Sequence, residues 1–293
     1  MTDPTPDTKA PAGSDSVLRA ITDDGAFRLV AVSTTETVRG AADAQEVRGD
    51  VRRIFGELVT GAVLIRHTMA PDLRVQAILQ GDDHAARMVA DANPDGWTRG
   101  LVQLGKGTGM TIAKNAVLQV ARTLHNGTIH QGAVPVPGGS LSAAFMRYLQ
   151  DSEQIVSIIA VGCDMSAEGE VRAAGGFVLQ LLPELGEGSL AIMTERMRDF
   201  ESMAPLFAKG QASPQSLVAE IFYGMPHTIV GSDPLRFGCN CSQARVAASL
   251  ASLPKTEIQA MIDDKRILEI GCDYCGKQYQ MAPEQLRGLL EAQ

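Results

Sequence analysis

The chain has 293 residues, 45% apolar, 20% charged and only 4% aromatic, which excludes a wholly disordered polymer and leaves room for one large domain and a smaller one. No apolar run approaches the roughly 18 residues that span a bilayer, and the longest, residues 58–65, stops at Arg66, so no membrane partner is expected. A formal net charge of −8 argues against a general nucleic-acid binder, because phosphate contacts need a basic face.

Residues 1–14 are acidic and rich in Pro, Gly, Ser and Thr, with no secretory pattern, and read as the disordered tail of a cytoplasmic protein. Over 15–188 strand-like and helix-like patterns alternate. Strands are predicted at 26–32 behind the turn Asp24-Gly25, and at 73–79, 110–113, 155–161 and 177–182. Helices are predicted at 51–65, where Val51, Ile54, Phe55, Leu58, Val59 and Ala62 share a face, and at 140–149, with Leu141, Phe145, Tyr148 and Leu149. The expectation is one mixed sheet-and-helix domain of α+β class. Within it, Gly105 to Gly109 suggests a phosphate loop but lacks the spacing and the following helix, so a hairpin turn is the better reading.

Residues 189–235 read as a helical, methionine-rich linker. Met193, Met197, Phe200 and Met203 fall at helical spacing, and a second helix opens with Ser213 as N-cap and Pro214 behind it, carrying Leu217, Val218, Ile221 and Phe222. Ordinary packed helices explain such stripes, yet methionine repacks easily and suits surfaces that take many partners.

The last module, 236–293, offers a helix capped by Ser242, a capping box from Thr256 to Gln259, strands at 267–270 and 277–281, and a final helix from Pro283. So few large apolar groups make a poor core, and something else must hold the module together. Four of the five cysteines lie here, as Cys239-Asn240-Cys241 and Cys272-Asp273-Tyr274-Cys275, thirty residues apart. That pairing points to tetrathiolate zinc in a small C-terminal zinc-binding domain. The plain alternative is a zinc ribbon that only stabilises the module, or binds nucleic acid or another partner without redox switching. Two features favour a switch. Adjacent thiolates in Cys-x-Cys would close a strained, easily reduced ring. The module's seven Lys/Arg and seven Asp/Glu balance, unlike the basic footprint of a nucleic-acid ribbon. Cys163, alone at the end of an apolar strand, reads as a small buried hydrophobe. The five histidines show no ligand spacing, and no convergent polar set suggests an enzyme.

The segments Leu235-Arg236-Phe237-Gly238-Cys239-Asn240-Cys241-Ser242 and Gly271-Cys272-Asp273-Tyr274-Cys275-Gly276-Lys277-Gln278-Tyr279 resemble the redox-regulated holdase chaperones of the 33 kDa heat-shock protein family. So do Ser152-Glu153-Gln154, Gly132-Ala133-Val134-Pro135 and the run Ala174-Gly175-Gly176-Phe177-Val178-Leu179-Gln180-Leu181-Leu182-Pro183. The resemblance implies an ATP-independent holdase that is inactive when reduced and bound to one zinc per chain. It implies that Cys239, Cys241, Cys272 and Cys275 are both ligands and sensors, with bridges Cys239–Cys241 and Cys272–Cys275 on oxidation. Zinc release would unfold the C-terminal module and the linker, and the active form would be a homodimer. Unfolding proteins are the implied partners, with Met193, Met197, Phe200, Met203, Ile221 and Phe222 as candidate client-binding residues.

Overall fold

The structure, a computed structural model, describes residues 14–107, 109–124, 126–182 and 187–291. The tail expected over 1–14 lies outside the described residues except for Ser14. Contacts divide the chain after Phe237, giving a first unit up to that residue and a second from Gly238 onward.

In the first unit Ser16–Thr22 (β1) and Phe27–Ser33 (β2) form a hairpin, followed by Thr35–Ala44 (α1) and Gly49–Thr68 (α2). Arg74–Gln80 (β3), Arg87–Ala92 (β4) and Trp97–Gln103 (β5) make a meander, and Val117–Thr123 (β6) and Ile129–Pro135 (β7) a second hairpin. Then come Leu141–Glu153 (α3), Ser157–Met165 (β8), Val171–Leu181 (β9), Glu187–Met197 (α4), Ala204–Ala208 (α5), Pro214–Ile221 (α6), His227–Pro234 (β10) and Arg236–Phe237 (β11). One sheet has the order β10-β1-β2-β9-β8 and the other β11-β5-β4-β3-β6-β7.

Helix α2 lies within the core that both sheets line, because its stretch 58–65 is apolar nearly all round. Phe55, Leu58, Val59, Leu64 and Ile65 are fully buried, among Val30 and Val32 of one sheet and Val75, Leu79 and Met88 of the other. Gly61 is required there: a Cβ on it would stand 2.0 Å from the ring of Phe145. The far face of the first sheet carries a second cluster. Leu18, Phe27, Leu29, Phe177 and Leu179 meet Met193, Met197, Phe200, Met203, Leu206, Leu217, Val218, Ile221 and Phe222. Buried on both faces, β9 reads as a continuous apolar run rather than an alternation.

In the first unit four sequence expectations need correction. The methionine stripe is not one helix: α4 ends at Met197, a 3-10 turn, Arg198–Phe200, follows, and Pro205 sits in the first turn of the next helix, α5, where a proline is tolerated. Residues 227–234, expected within a helical linker, form β10 on β1, where β-branched Thr228, Ile229 and Val230 favour a strand. No strand forms at 110–113; the Asp82 carboxylate accepts the N–H groups of Ala113, Lys114 and Asn115 instead of a ladder partner. Gly105, at φ +62, turns the chain after β5, but β5 pairs with β4 and β6 with β3, so no hairpin spans it.

The second unit contains Gln243–Leu250 (α7), Lys255–Asp263 (α8), Leu268–Gly271 (β12), Gln278–Met281 (β13) and Pro283–Glu291 (α9). Its buried apolar residues are Leu250, Ile258, Ile262, Met281 and Leu286. The capping box at Thr256 is absent: Pro254 takes the N-cap conformation and its carbonyl accepts from Glu257 and Ile258, placing Thr256 inside α8.

Candidate metal centre

The Cys-x-Cys segment lies between β11 and α7. Ser242 caps α7 by accepting from the Arg245 N–H, which fixes the chain direction just after Cys241. The other pair sits in the turn between β12 and β13. There the Cys272 N–H donates to the Lys277 carbonyl at 2.9 Å, and the Cys275 and Gly276 N–H groups fold back onto the Cys272 carbonyl. Gly276, at φ +70, supplies the left-handed residue that lets the chain leave the turn.

These two segments bring the four sulfurs together, all within 4.8 Å of one another. Cys239 Sγ is 3.8 Å from Cys272 Sγ, and Cys241 Sγ is 3.4 Å from Cys275 Sγ. Zinc with four sulfur bonds of about 2.3 Å needs a tetrahedral edge of about 3.8 Å, so the sulfurs already have the size of a tetrathiolate site. All four are free thiols. The donor set also fits by charge. Burial raises Cys272 and, with hydrogen bonds to the other three sulfurs that favour the neutral thiol, pushes Cys275 up to about 12. Burial works the same way on Cys241, but hydrogen bonds from Tyr279 and the other thiols outweigh it and hold that thiol down at about 7. A divalent cation would favour all four thiolates at once.

Tyr279 is the residue that sequence reasoning passed over. It faces inward on β13 and its hydroxyl donates to Cys241 Sγ at 3.0 Å. The signal was present: in Gln278–Met281 the alternation turns Tyr279 to the same side as Met281, and a buried tyrosine hydroxyl seeks a partner.

The remaining candidates lie elsewhere. Cys163 is buried in β8, where burial pushes its thiol up to about 12 and leaves it unreactive at neutral pH. Met193, Met197, Phe200, Met203, Ile221 and Phe222 are all brought together, but against the first sheet, and none is more than 7% exposed. Among the described residues no helix is long and apolar enough to cross a membrane.

The family described as Hsp33 protein matches the chain over residues 15–282. The 33 kDa chaperonin of Levilactobacillus brevis is 29% identical over 96% of this chain and 99% of its own. That of Listeria monocytogenes is 28% identical over 95% and 99%. Among solved structures, the 33 kDa chaperonin (heat shock protein 33 homolog) of Thermotoga maritima aligns with a TM-score of 0.80 at 22% identity, covering 95% of this chain and 98% of that one.

Proposed function

The chain belongs to the Hsp33 family of chaperones, and on that premise we propose that it is a cytoplasmic, ATP-independent holdase switched on by oxidation. The observation that carries this reading is the convergence of Cys239, Cys241, Cys272 and Cys275 in a unit with a small apolar core of its own. When bound, zinc ties the two cysteine segments together and keeps all four sulfurs anionic. Metal binding of this kind contributes about 10–16 kcal/mol, against the 5–15 kcal/mol by which a whole domain is ordinarily stable.

Peroxide is the oxidant class. One thiolate attacks it, giving a sulfenic acid and hydroxide; a second thiolate attacks that sulfur, closing the disulfide and releasing another hydroxide. Bridges Cys239–Cys241 and Cys272–Cys275 thus pass four electrons to two peroxides. The four sulfurs cease to be anionic donors, and the second unit loses its order. That loss reaches the two-residue strand β11 and then β10, which lead into it, and loosens α4–α6 behind them. Departure of these helices bares Met193, Met197, Phe200, Met203, Ile221 and Phe222 together with Phe27, Leu29, Phe177 and Leu179, an apolar face for unfolding proteins. The active form is a homodimer.

The test is zinc content and suppression of client aggregation on one sample, before and after peroxide treatment. One zinc per chain, released on oxidation, with suppression appearing only afterwards, supports the switch. Equal suppression by the reduced protein, or none by the oxidised one, rejects it.

A further inference from the structure

Beside the end of α2 the first unit holds a cavity of about 480 Å³, a size suited to a small ligand. Arg19, Arg28, Arg66 and His67 line it. The register brings them together. Arg19 of β1 lies opposite Val30, and Arg28 of β2 comes two residues before Val30, so both project from the sheet face that meets α2, whose last turn carries Arg66 and His67. Gly231 of β10 makes room for this, since a Cβ there would stand 2.6 Å from the Arg19 guanidinium. Met69, Pro71, Pro94 and Pro234 add apolar wall.

The cations are not balanced. Arg19 donates to Asp233 and, at 3.2 Å, to His67 Nδ1, which leaves that imidazole a neutral acceptor. Asp95, the other carboxylate on the wall, is exposed. Arg28 donates to the carbonyls of His67 and Thr68, and Arg66 to those of Ala70 and Pro71; among the described residues neither guanidinium has a carboxylate partner. Arg66 is 4% exposed, yet its Nε has no hydrogen-bond partner. Burial and then the charge of Arg19 lower both Arg28 and Arg66, and for Arg66 the opposing pull of Asp72, Asp233 and Asp95 does not restore the balance. Charges buried to this degree are ordinarily paired.

We infer that this cavity is a binding site for a small organic anion, a phosphate or carboxylate carried on an apolar body. The head group lies among Arg19, Arg28 and Arg66, whose planar forks suit an acceptor with two oxygens. The body lies along Met69, Pro71, Pro94 and Pro234. Asp233, whose side chain is 52% exposed, is the competitor: the ligand takes its place on Arg19, and the displaced carboxylate turns to water. Binding is reversible, with no bond made or broken. The site stands apart from the cysteines and does not depend on the redox reading above.

The full-length, reduced, zinc-loaded protein tests this without peroxide. Phenyl phosphate, benzoate and, as their neutral counterpart, phenol are titrated at fixed ionic strength while amide shifts are followed by NMR. Phenyl phosphate or benzoate should give saturable shifts centred on Arg19, Arg28, Arg66 and His67, and phenol should give none there; the acid that binds tighter assigns the head group. Arg19→Gln should weaken binding about tenfold or more, the size of one hydrogen bond between charged groups. Asp233→Asn, at an exposed position, should tighten it about threefold by removing the competitor, which keeps the site testable where Arg19→Gln folds poorly. Phenol binding as tightly as both acids, shifts that never saturate, or an Asp233→Asn variant with unchanged or weaker affinity overturns the inference.

Discussion

The two units of the chain solve the same problem by different means. Up to Phe237, two sheets and a helix within their shared core bury Phe55, Leu58, Phe145 and Tyr148 completely. From Gly238 onward, Leu250, Ile258, Ile262, Met281 and Leu286 form a modest cluster, and four sulfurs that could hold a metal ion lie within 4.8 Å of one another. The difference separates stability from responsiveness. On the proposed reading, the oxidisable side chains of the first unit, such as Met88 and Cys163, are shielded by packing, whereas a unit held by thiolates would lose its support when they are oxidised.

The sharpest way to break the contrast is to remove the metal. Cys272→Ser, or a strong zinc chelator, should cost the second unit most of the about 10–16 kcal/mol that binding contributes and unfold it. Amide dispersion in NMR should collapse for 238–293 while the signals of α2 and its surrounding sheets persist. Collapse of both sets would mean that the first unit also depends on the site.

The converse change is Phe145→Ala, which empties the space beside Gly61 in the first unit. It should destabilise that unit by about 3–5 kcal/mol, read as a lower denaturant midpoint, with one zinc per chain still bound. Loss of zinc would show that the units are not separable.

His67 gives the first unit a pH dependence. Burial, then the nearby Arg66 and Arg19, lower its pKa from 6.5 to about 4. The unfolded chain therefore takes up a proton that the folded one refuses. Stability is intact above about pH 6.5 and falls between there and pH 4, by about 3 kcal/mol at the lower end. Denaturant melts of His67→Gln across that window should show a shallower fall. The smallest effect is at the helix cap: Ser213 accepts the Ser216 N–H at 3.1 Å, and Ser213→Ala should loosen α6 by about 1 kcal/mol, seen as faster local hydrogen exchange.

The convergence of the four cysteines was legible in the sequence because they lie in two short clusters whose spacing suits a single metal ion. Helix α2 was legible too, from Val51, Ile54, Phe55, Leu58, Val59 and Ala62 at helical spacing. The sheets were not, since β1 pairs with β10 from Ser16↔Pro234 and β2 with β9 from Phe27↔Leu181, partners far apart in the chain with no local sign of each other. The methionine stripe gave its apolar face correctly but not its break after Met197. Tyr279 escaped for a related reason: its role depends on a cysteine 38 residues away, and only the fold brings them together.

Hydrogen exchange measured by mass spectrometry, on one zinc-loaded sample before and after peroxide, tests most directly the proposal that zinc held by the four thiolates keeps the second unit folded. Protection over 238–293 should vanish on oxidation and weaken over α4–α6, while α2 stays protected throughout. Protection that survives across 238–293 after all four cysteines are oxidised would contradict the account.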